Sequence, residues 1–403
     1  MLDSVLIVLI ELTWRIRVKK KFKDMDKVLL LLVIGFCILG LFMVYSSSSA
    51  SAILRYQVPP NYFFIKQLWS VVVGLFLGLI ILFIPTNYYK SVGYLGIVAS
   101  IAVLVLVLVY GNVAHNAQSW FEIGSFKVQP IEFVKTAVII FMAVYYNGLS
   151  KRNVQAIGLY FIPLVISIIL AILIYKQPDI GGVLIVLGMS FLTFLSVPMI
   201  NKNMHKAYKF IGVGAILAVI LVLAFSKNIL TSERLSRLNF QNPCSRYKDK
   251  EGSGYQVCNG LIAISSGGLF GKGLGKSTQK YLYLPDSHTD FIFPIICEEL
   301  GAIVGTLIIL AYGLMLLRIY KIAKKADNLR TSLLAYGAFW YFTLHILINL
   351  LGILALIPLT GIPLAFLSYG GSYTLNAIVI AFIVERVSIE NKEDELVRAI
   401  KSY

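Results

Sequence analysis

The chain has 403 residues, of which 58% are apolar and only 14% are charged, and its mean hydropathy is +0.81. This composition excludes a soluble globular protein and indicates a polytopic membrane protein. The formal net charge of +16 does not indicate nucleic-acid binding, because the sequence has no basic soluble domain with interleaved aromatic residues.

Ten apolar segments are long enough to cross a hydrocarbon core of about 30 Å, which needs roughly 20 helical residues. They predict an all-α fold, a polytopic integral membrane protein with about ten transmembrane helices and one large extracytoplasmic loop. The predicted spans are residues 27–46, 65–84, 91–110, 131–148, 156–175, 180–198, 208–226, 291–317, 333–357 and 366–385. The resulting parts are a basic N-terminal segment at 1–26, one membrane domain at 27–386 whose large loop covers about 227–290, and a C-terminal tail at 387–403.

Basic residues are unevenly distributed between the two faces of the predicted bundle. Segments on one face carry the runs RIRVKKKFKDMDK, SKRN, NKNMHKAYK and RIYKIAKKADNLR, whereas the short loops on the other face carry few basic residues. Cytoplasmic loops of membrane proteins are enriched in Lys and Arg. Both termini are therefore predicted to be cytoplasmic, and the 227–290 loop is predicted to lie outside.

Three acidic residues stand at predicted helix starts on the outer face. Asp290 precedes the eighth span in LPDSHTDFIFPIICEELG, Glu132 lies in VQPIEFVK, and Asp179 lies in KQPDIGG. One interpretation is structural, because a helix N-terminus favours a carboxylate and Glu132 can pair with Lys135 on the same helical face. The other is functional, because ionisable groups at membrane depth are costly and usually serve binding or catalysis. The convergence of the acids on one face favours a functional site.

Five motifs in order along the chain carry a family resemblance: GLFMVYSSSS (40–49), AQSWFEIGSFKVQPIEFVK (117–135), QPDIGG (177–182), YQVCNGLIAISSGGLFGKGLGKSTQKYLYLPDSHTDFIFPIICEELG (255–301) and TGIPLAFLSYGGS (360–372). Together they resemble the SEDS family, the shape, elongation, division and sporulation proteins, over residues 26–386. Within that family, LGKSTQKYLYLPDSHTDFIF looks more like the division branch, FtsW, than the elongation branch, RodA.

The resemblance implies a peptidoglycan glycosyltransferase that polymerises lipid II, the disaccharide peptide carried on undecaprenyl diphosphate. It implies action at the outer face of the bacterial cytoplasmic (inner) membrane, in septal wall synthesis for cell division. It further implies a divalent cation, Mg or Mn, a class B penicillin-binding protein as partner, and other membrane proteins of the divisome or elongasome. Three alternatives stay open: a lipid II flippase, an elongation-type polymerase similar to RodA, and a noncatalytic scaffold for division partners.

Four positions depart from the usual pattern of the family. Ser119 stands where an arginine is usual, Ile131 where a serine is usual, Ala365 where a proline is usual, and Tyr373 where a serine is usual. Ser119 puts in doubt any phosphate or sugar contact that the family arginine makes.

The chemistry of joining sugars assigns roles to the remaining polar residues. Glycosyl transfer from a lipid diphosphate needs a base that takes the proton from the acceptor hydroxyl. A metal ion or basic side chains can stabilise the departing diphosphate, so a second carboxylic acid is not required. Asp290 is the predicted catalytic base, and Glu132 and Asp290 are the predicted cation ligands. The predicted substrate-binding residues are Trp120, Gln129, Glu132, Lys135, Gln177, Asp179, Lys276, Lys280, His288 and Ser368.

Several of these residues have structural alternatives. Trp120 can be an interfacial anchor, Gln129 and Gln177 can be helix caps, and Asp179 can be a partner of the helix dipole. His345 lies in the middle of the ninth span and is predicted to be a buried packing or hydrogen-bonding residue outside the site.

Two features of the glycines bear on function. The run GGLFGKGLGKS is not a nucleotide-binding loop, because Phe270 stands where that motif requires glycine. Gly74 with Gly78, and Gly301 with Gly305, form small-residue faces on which membrane helices can pack closely, and the sequence does not show which face is free for a partner's helix.

Cys244 and Cys258 both lie in the predicted outer loop. An oxidising outer compartment permits a disulfide between them, and two free thiols are the alternative.

Overall fold

The computed structural model describes residues 20–110, 112–114, 117–123, 126–198, 243–246, 253–285 and 287–402. These residues form a bundle of α-helices and one small sheet. The helices are α1 (Lys27–Leu54), α2 (Tyr62–Phe83), α3 (Tyr89–Tyr110), α4 (Pro130–Lys151), α5 (Ile157–Tyr175), α6 (Ile180–Leu195), α7 (Ser253–Gly267), α8 (Ile292–Lys325), α9 (Leu329–Ile353) and α10 (Gly371–Lys401). The strands are β1 (Asn112–Ala114), β2 (Ala117–Ile123) and β3 (Phe126–Val128).

Within the described residues, eight helices are long and apolar enough to cross a membrane, namely α1 to α5 and α8 to α10. Helix α6 is also apolar but shorter, at 16 residues. The predicted all-α, polytopic membrane fold is confirmed, and these helices coincide with nine of the predicted spans. The predicted span at 208–226 lies outside the described residues, as does most of the stretch from 227 to 252.

Side-chain caps and one proline explain where four of the helices begin. The Asp26 carboxylate accepts hydrogen bonds from the first turn of α1, Asp179 does the same for α6, and Asn328 does so for α9. Pro130 opens α4, where its missing N–H would have no partner in any case.

The segment between α9 and α10, residues 354–370, turns back into the bundle without forming a helix. Close approach of Phe366 to α1 requires Gly40, because a Cβ atom there would collide with the backbone oxygen of Phe366. Helix α10 therefore begins at Gly371 rather than at 366, and it continues to Lys401 through most of the predicted C-terminal tail. Five consecutive residues of the segment are fully buried: Leu364, Ala365, Phe366, Leu367 and Ser368.

The three-stranded antiparallel sheet, in the order β1-β2-β3, was not predicted. It fills the connection between α3 and α4, and its pairs include Asn112 with Trp120 and Phe121 with Val128. Helix α7 was also not predicted, since it lies within the predicted 227–290 loop. Both elements are too short to produce a membrane-span signal.

Gly74 and Gly78 pack α2 against α10 of the same chain. A Cβ atom at Gly74 would lie 3.0 Å from Ile378, and one at Gly78 would lie 2.5 Å from the Phe382 ring. This contact shows that the Gly74 and Gly78 face is not free for a partner's helix, because α10 already occupies it. The Gly301 and Gly305 pair is likewise used within the chain, since Gly305 lies against Cys297.

We expect Gly78→Ala to lower the thermal stability of the purified protein, by about 1–3 kcal/mol in unfolding free energy, because the added methyl group overpacks against Phe382. Gly313→Ala is the matched control, since no atom lies within 4 Å of the Cβ position on α8. Melting temperatures in the same detergent measure both effects. Equal melting temperatures for the two variants would show that α2 and α10 separate without strain.

A break at Gly301 divides α8, where φ is 89° and ψ is 167°. The glycine loop, defined here as residues 267–276, packs into this break. A Cβ atom at Gly301 would lie 2.5 Å from the Gly271 nitrogen, so only glycine allows the approach. The amides of Lys272 and Gly273 donate to the backbone oxygens of Glu298 and Glu299, each at 2.9 Å. The glycine loop therefore has a structural role, because it packs into the break in α8 and is hydrogen-bonded to its backbone.

A disulfide joins Cys244 to Cys258, with the Cα atoms 5.0 Å apart, and ties a short 3-10 turn to α7. Among the described residues, the free cysteines are Cys37 and Cys297, both buried.

We expect the denatured, unreduced protein to react with two equivalents of a thiol reagent, and the reduced protein with four. Closing a loop of about 15 residues stabilises the folded loop by roughly 3 kcal/mol, so reduction should also lower its protease resistance. Mass spectrometry after labelling provides the measurement. Equal labelling before and after reduction would exclude the bridge.

Candidate functional site

A cavity of about 190 Å³ lies where α4, α6, α8 and α10 begin, beside the buried segment 354–370. The structure brings six of the predicted site residues together in its lining: Trp120, Gln129, Glu132, Lys135, Asp179 and Asp290. These residues come from four separate parts of the chain. The three acidic residues predicted at helix starts on the outer face, Glu132, Asp179 and Asp290, therefore line one cavity.

Lys135 lies at the floor of the cavity, on the first turns of α4. Its Nζ lies 2.8 Å from Oε1 of Glu132 and 3.3 Å from Nε2 of His345 on α9. The side chains of Lys135 and Glu132 are 3% and 5% exposed, so this is a buried ion pair. Because an ammonium group can only donate, His345 accepts through Nε2. The ion pair that the sequence suggested is real, and it lines the cavity.

Asp290 directly precedes Phe291, the N-cap residue of α8. Its Oδ1 accepts a hydrogen bond from the Thr289 hydroxyl at 3.0 Å. The Asn349 side chain of α9 donates at 2.8 Å to the backbone oxygens of both Asp290 and Ile362. This amide bridge fixes the start of α8 against segment 354–370 and holds the half-buried carboxylate at the cavity wall.

Asp179 both caps α6 and lines the cavity. Its Oδ1 accepts from the Gly182 amide at 2.7 Å and caps α6, while Oδ2 lies 3.4 Å from the Gln129 side-chain nitrogen. Gln129 makes no side-chain cap hydrogen bond to α4, and its backbone amide donates to Ser372 at 3.0 Å. Asp179, suggested as a partner of the helix dipole, is therefore a side-chain cap at the start of α6, and the cap role suggested for Gln129 is not observed.

Three predicted substrate-binding residues lie outside the cavity lining. The His288 ring packs beside the rings of Phe63 and Tyr369, with centroids 4.6 and 5.5 Å away. The Ser368 hydroxyl accepts from the Leu364 amide at 2.8 Å. The Gln177 side chain donates to the Leu104 backbone oxygen at 3.2 Å. All three side chains are buried and hold neighbouring segments together through these contacts.

Lys280 and Lys276 also lie away from the cavity. We name Glu298, Glu299, Lys272 and Lys280 the acid clamp. Lys280 pairs with Glu299 at 2.8 Å and Lys272 with Glu298 at 2.6 Å, and both carboxylates are fully buried. Lys276 is exposed on the glycine loop.

Further hydrogen bonds attach the loop residues around the clamp to α8 and α1. The Thr278 amide and hydroxyl donate to Glu298 at 3.1 and 2.8 Å. The Ser46 hydroxyl donates to Glu299 at 2.6 Å. The clamp therefore explains why two acids follow an apolar run on α8, since they bind the chain that leads to Asp290.

The cavity lining also contains residues that the sequence analysis did not place in the site: His345, Thr289, Ser372, Tyr373, Tyr369 and the 360–363 stretch. His345 is buried and contacts a polar partner, as predicted, but that partner is Lys135 and His345 lines the cavity. The signal that could have found it is an ionisable side chain in the middle of a membrane span. Tyr373 gave no comparable signal, because tyrosine is common at helix starts near a membrane surface.

The donor set of the cavity suits a cation only when the substrate supplies further ligands. Across the described stretches, no three His, Cys, Asp or Glu side chains are grouped to hold a metal ion. Mg²⁺ commonly binds one or two carboxylates together with substrate phosphates and water. Asp290 and Asp179 place two carboxylates in the lining. Glu132 is a poorer ligand, because the Lys135 ammonium lies 2.8 Å from its carboxylate and repels a second cation.

A membrane-spanning helical bundle with a carboxylate-lined cavity at the ends of its helices defines an integral membrane protein that acts on a polar group. The pattern of the cell cycle protein family FtsW/RodA/SpoVE matches residues 26–393. The chain belongs to this family, and the resemblance noted in the sequence is confirmed.

Two relatives from Bacillus subtilis (strain 168) are similar over most of their length. The probable peptidoglycan glycosyltransferase FtsW is 38% identical over 359 residues, covering 88% of each chain. Stage V sporulation protein E is 34% identical over 351 residues, covering 86% of this chain and 92% of the relative.

Two solved structures share the fold. A chain of a peptidoglycan synthase complex that coordinates polymerization and crosslinking aligns with a TM-score of 0.72 and 24% identity, over 92% of this chain and 99% of that one. The rod shape determining protein RodA of Thermus thermophilus aligns with a TM-score of 0.63 and 24% identity, over 90% and 96%. At this identity they establish the architecture alone.

Proposed function

We propose that this chain is a peptidoglycan glycosyltransferase that polymerises lipid II, the disaccharide peptide on undecaprenyl diphosphate, at the outer face of the bacterial cytoplasmic membrane. Its similarity to FtsW favours the division branch and septal wall synthesis. The observation that carries the proposal is the Asp290 carboxylate in a cavity that also holds Trp120 and Lys135. Such a cavity offers a base, an aromatic face and a cation to one ligand.

In the proposed reaction, Asp290 takes the proton from the acceptor sugar's hydroxyl as that oxygen attacks the anomeric carbon of the donor sugar. The bond between the anomeric carbon and the diphosphate oxygen breaks, and the diphosphate leaves with the electron pair. One carboxylate suffices, because a diphosphate leaves without the protonation that an ordinary glycoside needs. Trp120 packs on a sugar face, and Asp179 with Gln129 forms the opposite polar wall.

A divalent cation, Mg or Mn, belongs to this proposal. When bound, it neutralises charge on the departing diphosphate. Asp290 remains a proposed ligand, and we add Asp179 in place of Glu132, because Lys135 already neutralises the Glu132 carboxylate. Lys135 balances that buried charge.

The proposed partners are a class B penicillin-binding protein and further membrane proteins of the division machinery. Because α10 covers Gly74 and Gly78, a partner's single helix must contact another lipid-facing surface. Cytoplasmic termini also remain part of the proposal, on the distribution of basic residues.

The test is incubation of the purified protein with lipid II and Mg²⁺ or Mn²⁺, with and without the partner protein, followed by sizing of glycan products on gels. We expect polymer in the presence of the partner. Transport of lipid II across vesicle bilayers with no polymer under any condition would instead sustain the flippase alternative.

A further inference from the structure

Three residues that line the cavity each have a buried polar atom with no hydrogen-bond partner among the residues that the structure describes. The atoms are Nδ1 of His345 and two oxygens, Oε2 of Glu132 and the hydroxyl oxygen of Tyr373. Glu132 and Tyr373 are only 4% and 3% exposed. Leaving such an atom unsatisfied costs about 1–3 kcal/mol, so folded proteins keep few of them. Three around one cavity indicate that a ligand contacts this group, and the two oxygens are its candidate partners.

The surrounding contacts fix both atoms in position. Oε1 of Glu132 is held by Lys135 at 2.8 Å, which leaves Oε2 as the remaining acceptor of the carboxylate. The Tyr373 ring lies 4.8 Å from the His345 ring at an interplanar angle of 32°, and His345 is itself 3.3 Å from Lys135. The Lys135 ammonium also lies 5.8 Å from the Tyr373 ring centre. The four side chains therefore form one preorganised group.

The charges of this group select the chemistry of the ligand. A carboxylate oxygen repels a phosphate and can only accept hydrogen bonds, whereas a phenol can donate or accept. The Lys135 ammonium beside the same carboxylate opposes a metal ion. An uncharged polar group with at least one O–H or N–H donor satisfies both oxygens, and neither the Glu132 carboxylate nor the Lys135 ammonium repels it. A sugar hydroxyl and a sugar-linked amide both have this chemistry.

We propose that Glu132 Oε2 and the Tyr373 hydroxyl form a subsite for an uncharged hydroxyl or amide substituent of a sugar. That the sugar belongs to a lipid-linked disaccharide rests on the proposed function. The subsite recognises the sugar itself and leaves the diphosphate to other parts of the cavity. Asp290, on the α8 side, acts on the reacting hydroxyl, so recognition and proton transfer use different carboxylates.

The decisive variant is Tyr373→Phe, which removes one oxygen and keeps the ring that packs against His345. The matched control is Tyr341→Phe, because Tyr341 is buried with its ring 5.6 Å from the same Lys135 ammonium but does not line the cavity. The probes are the soluble disaccharide peptide, inorganic diphosphate and Mg²⁺ alone, each titrated by calorimetry against the full-length protein in detergent.

We expect Tyr373→Phe to weaken binding of the disaccharide peptide about three- to tenfold and to leave diphosphate affinity unchanged. Tyr341→Phe should match the parent for every probe. In the polymerisation assay, Tyr373→Phe should raise KM for lipid II by a similar factor.

The proposal is overturned if Tyr373→Phe binds the disaccharide peptide as the parent does, if the parent does not bind it at all, or if the variant loses diphosphate or Mg²⁺ binding instead. Tyrosine-dependent sugar binding by a parent protein that makes no polymer would preserve the subsite and reject the proposed function. Normal polymerisation with an unchanged KM in Tyr373→Phe would reject the subsite and preserve the proposed function.

Discussion

Asp290→Asn is expected to lower the rate of polymer synthesis by about 10²-fold or more, while the protein still folds. Asparagine has the shape of aspartate and can still accept from Thr289, but it has almost no basicity. The backbone at position 290 is held by Asn349, which the substitution leaves in place. The measurement is the initial rate of glycan formation from lipid II, with melting temperature and partner binding recorded on the same preparations.

Two controls accompany this variant. Asp327→Asn removes a carboxylate that pairs with Arg398 at 2.6 Å between the ends of α8 and α10, away from the cavity lining, and should leave the rate unchanged. Asp286→Asn, at a position outside the described residues, should have a much smaller effect than Asp290→Asn. Parental polymer yield from a well-folded Asp290→Asn protein would refute the catalytic assignment.

Lys280→Met is expected to release the chain that carries Asp290 and to lower the polymerisation rate at least about tenfold. The Lys280 and Glu299 side chains are 3% and 0% exposed, so the substitution leaves a buried carboxylate without its cation. Removing one partner of a buried pair typically destabilises a protein by about 3–5 kcal/mol. The double variant Lys280→Met with Glu299→Gln removes both charges and should recover much of the loss.

Lys325→Met is the matched control for this prediction. Lys325 pairs with Glu395 at the same 2.8 Å, but these side chains are 55% and 57% exposed. Such a surface pair contributes at most about 1 kcal/mol. Amide hydrogen exchange over residues 272–283 reports loop release directly and does not depend on enzymatic activity. If Lys280→Met matched Lys325→Met in both exchange and rate, the acid clamp would have no role in positioning Asp290.

The sequence by itself determined the membrane architecture, because apolar length alone decides whether a helix can cross a bilayer. It also determined which helix starts share a face, since successive spans alternate in direction. That alternation placed Asp290, Glu132 and Asp179 at one side, and the structure finds all three in one cavity. Neither inference needed knowledge of which helices touch.

Only the tertiary structure decided which polar side chains reach the cavity. Lys135 and His345 are 210 residues apart in sequence, and Lys280 and Ser46 are 234 apart, so no local spacing records these contacts. Lys280 carries the positive charge expected of a residue that binds diphosphate, but packing against α8 pairs its ammonium group with the Glu299 carboxylate. Hydropathy determines where a helix lies in the membrane, whereas the partner of a buried charge depends on which helices pack side by side.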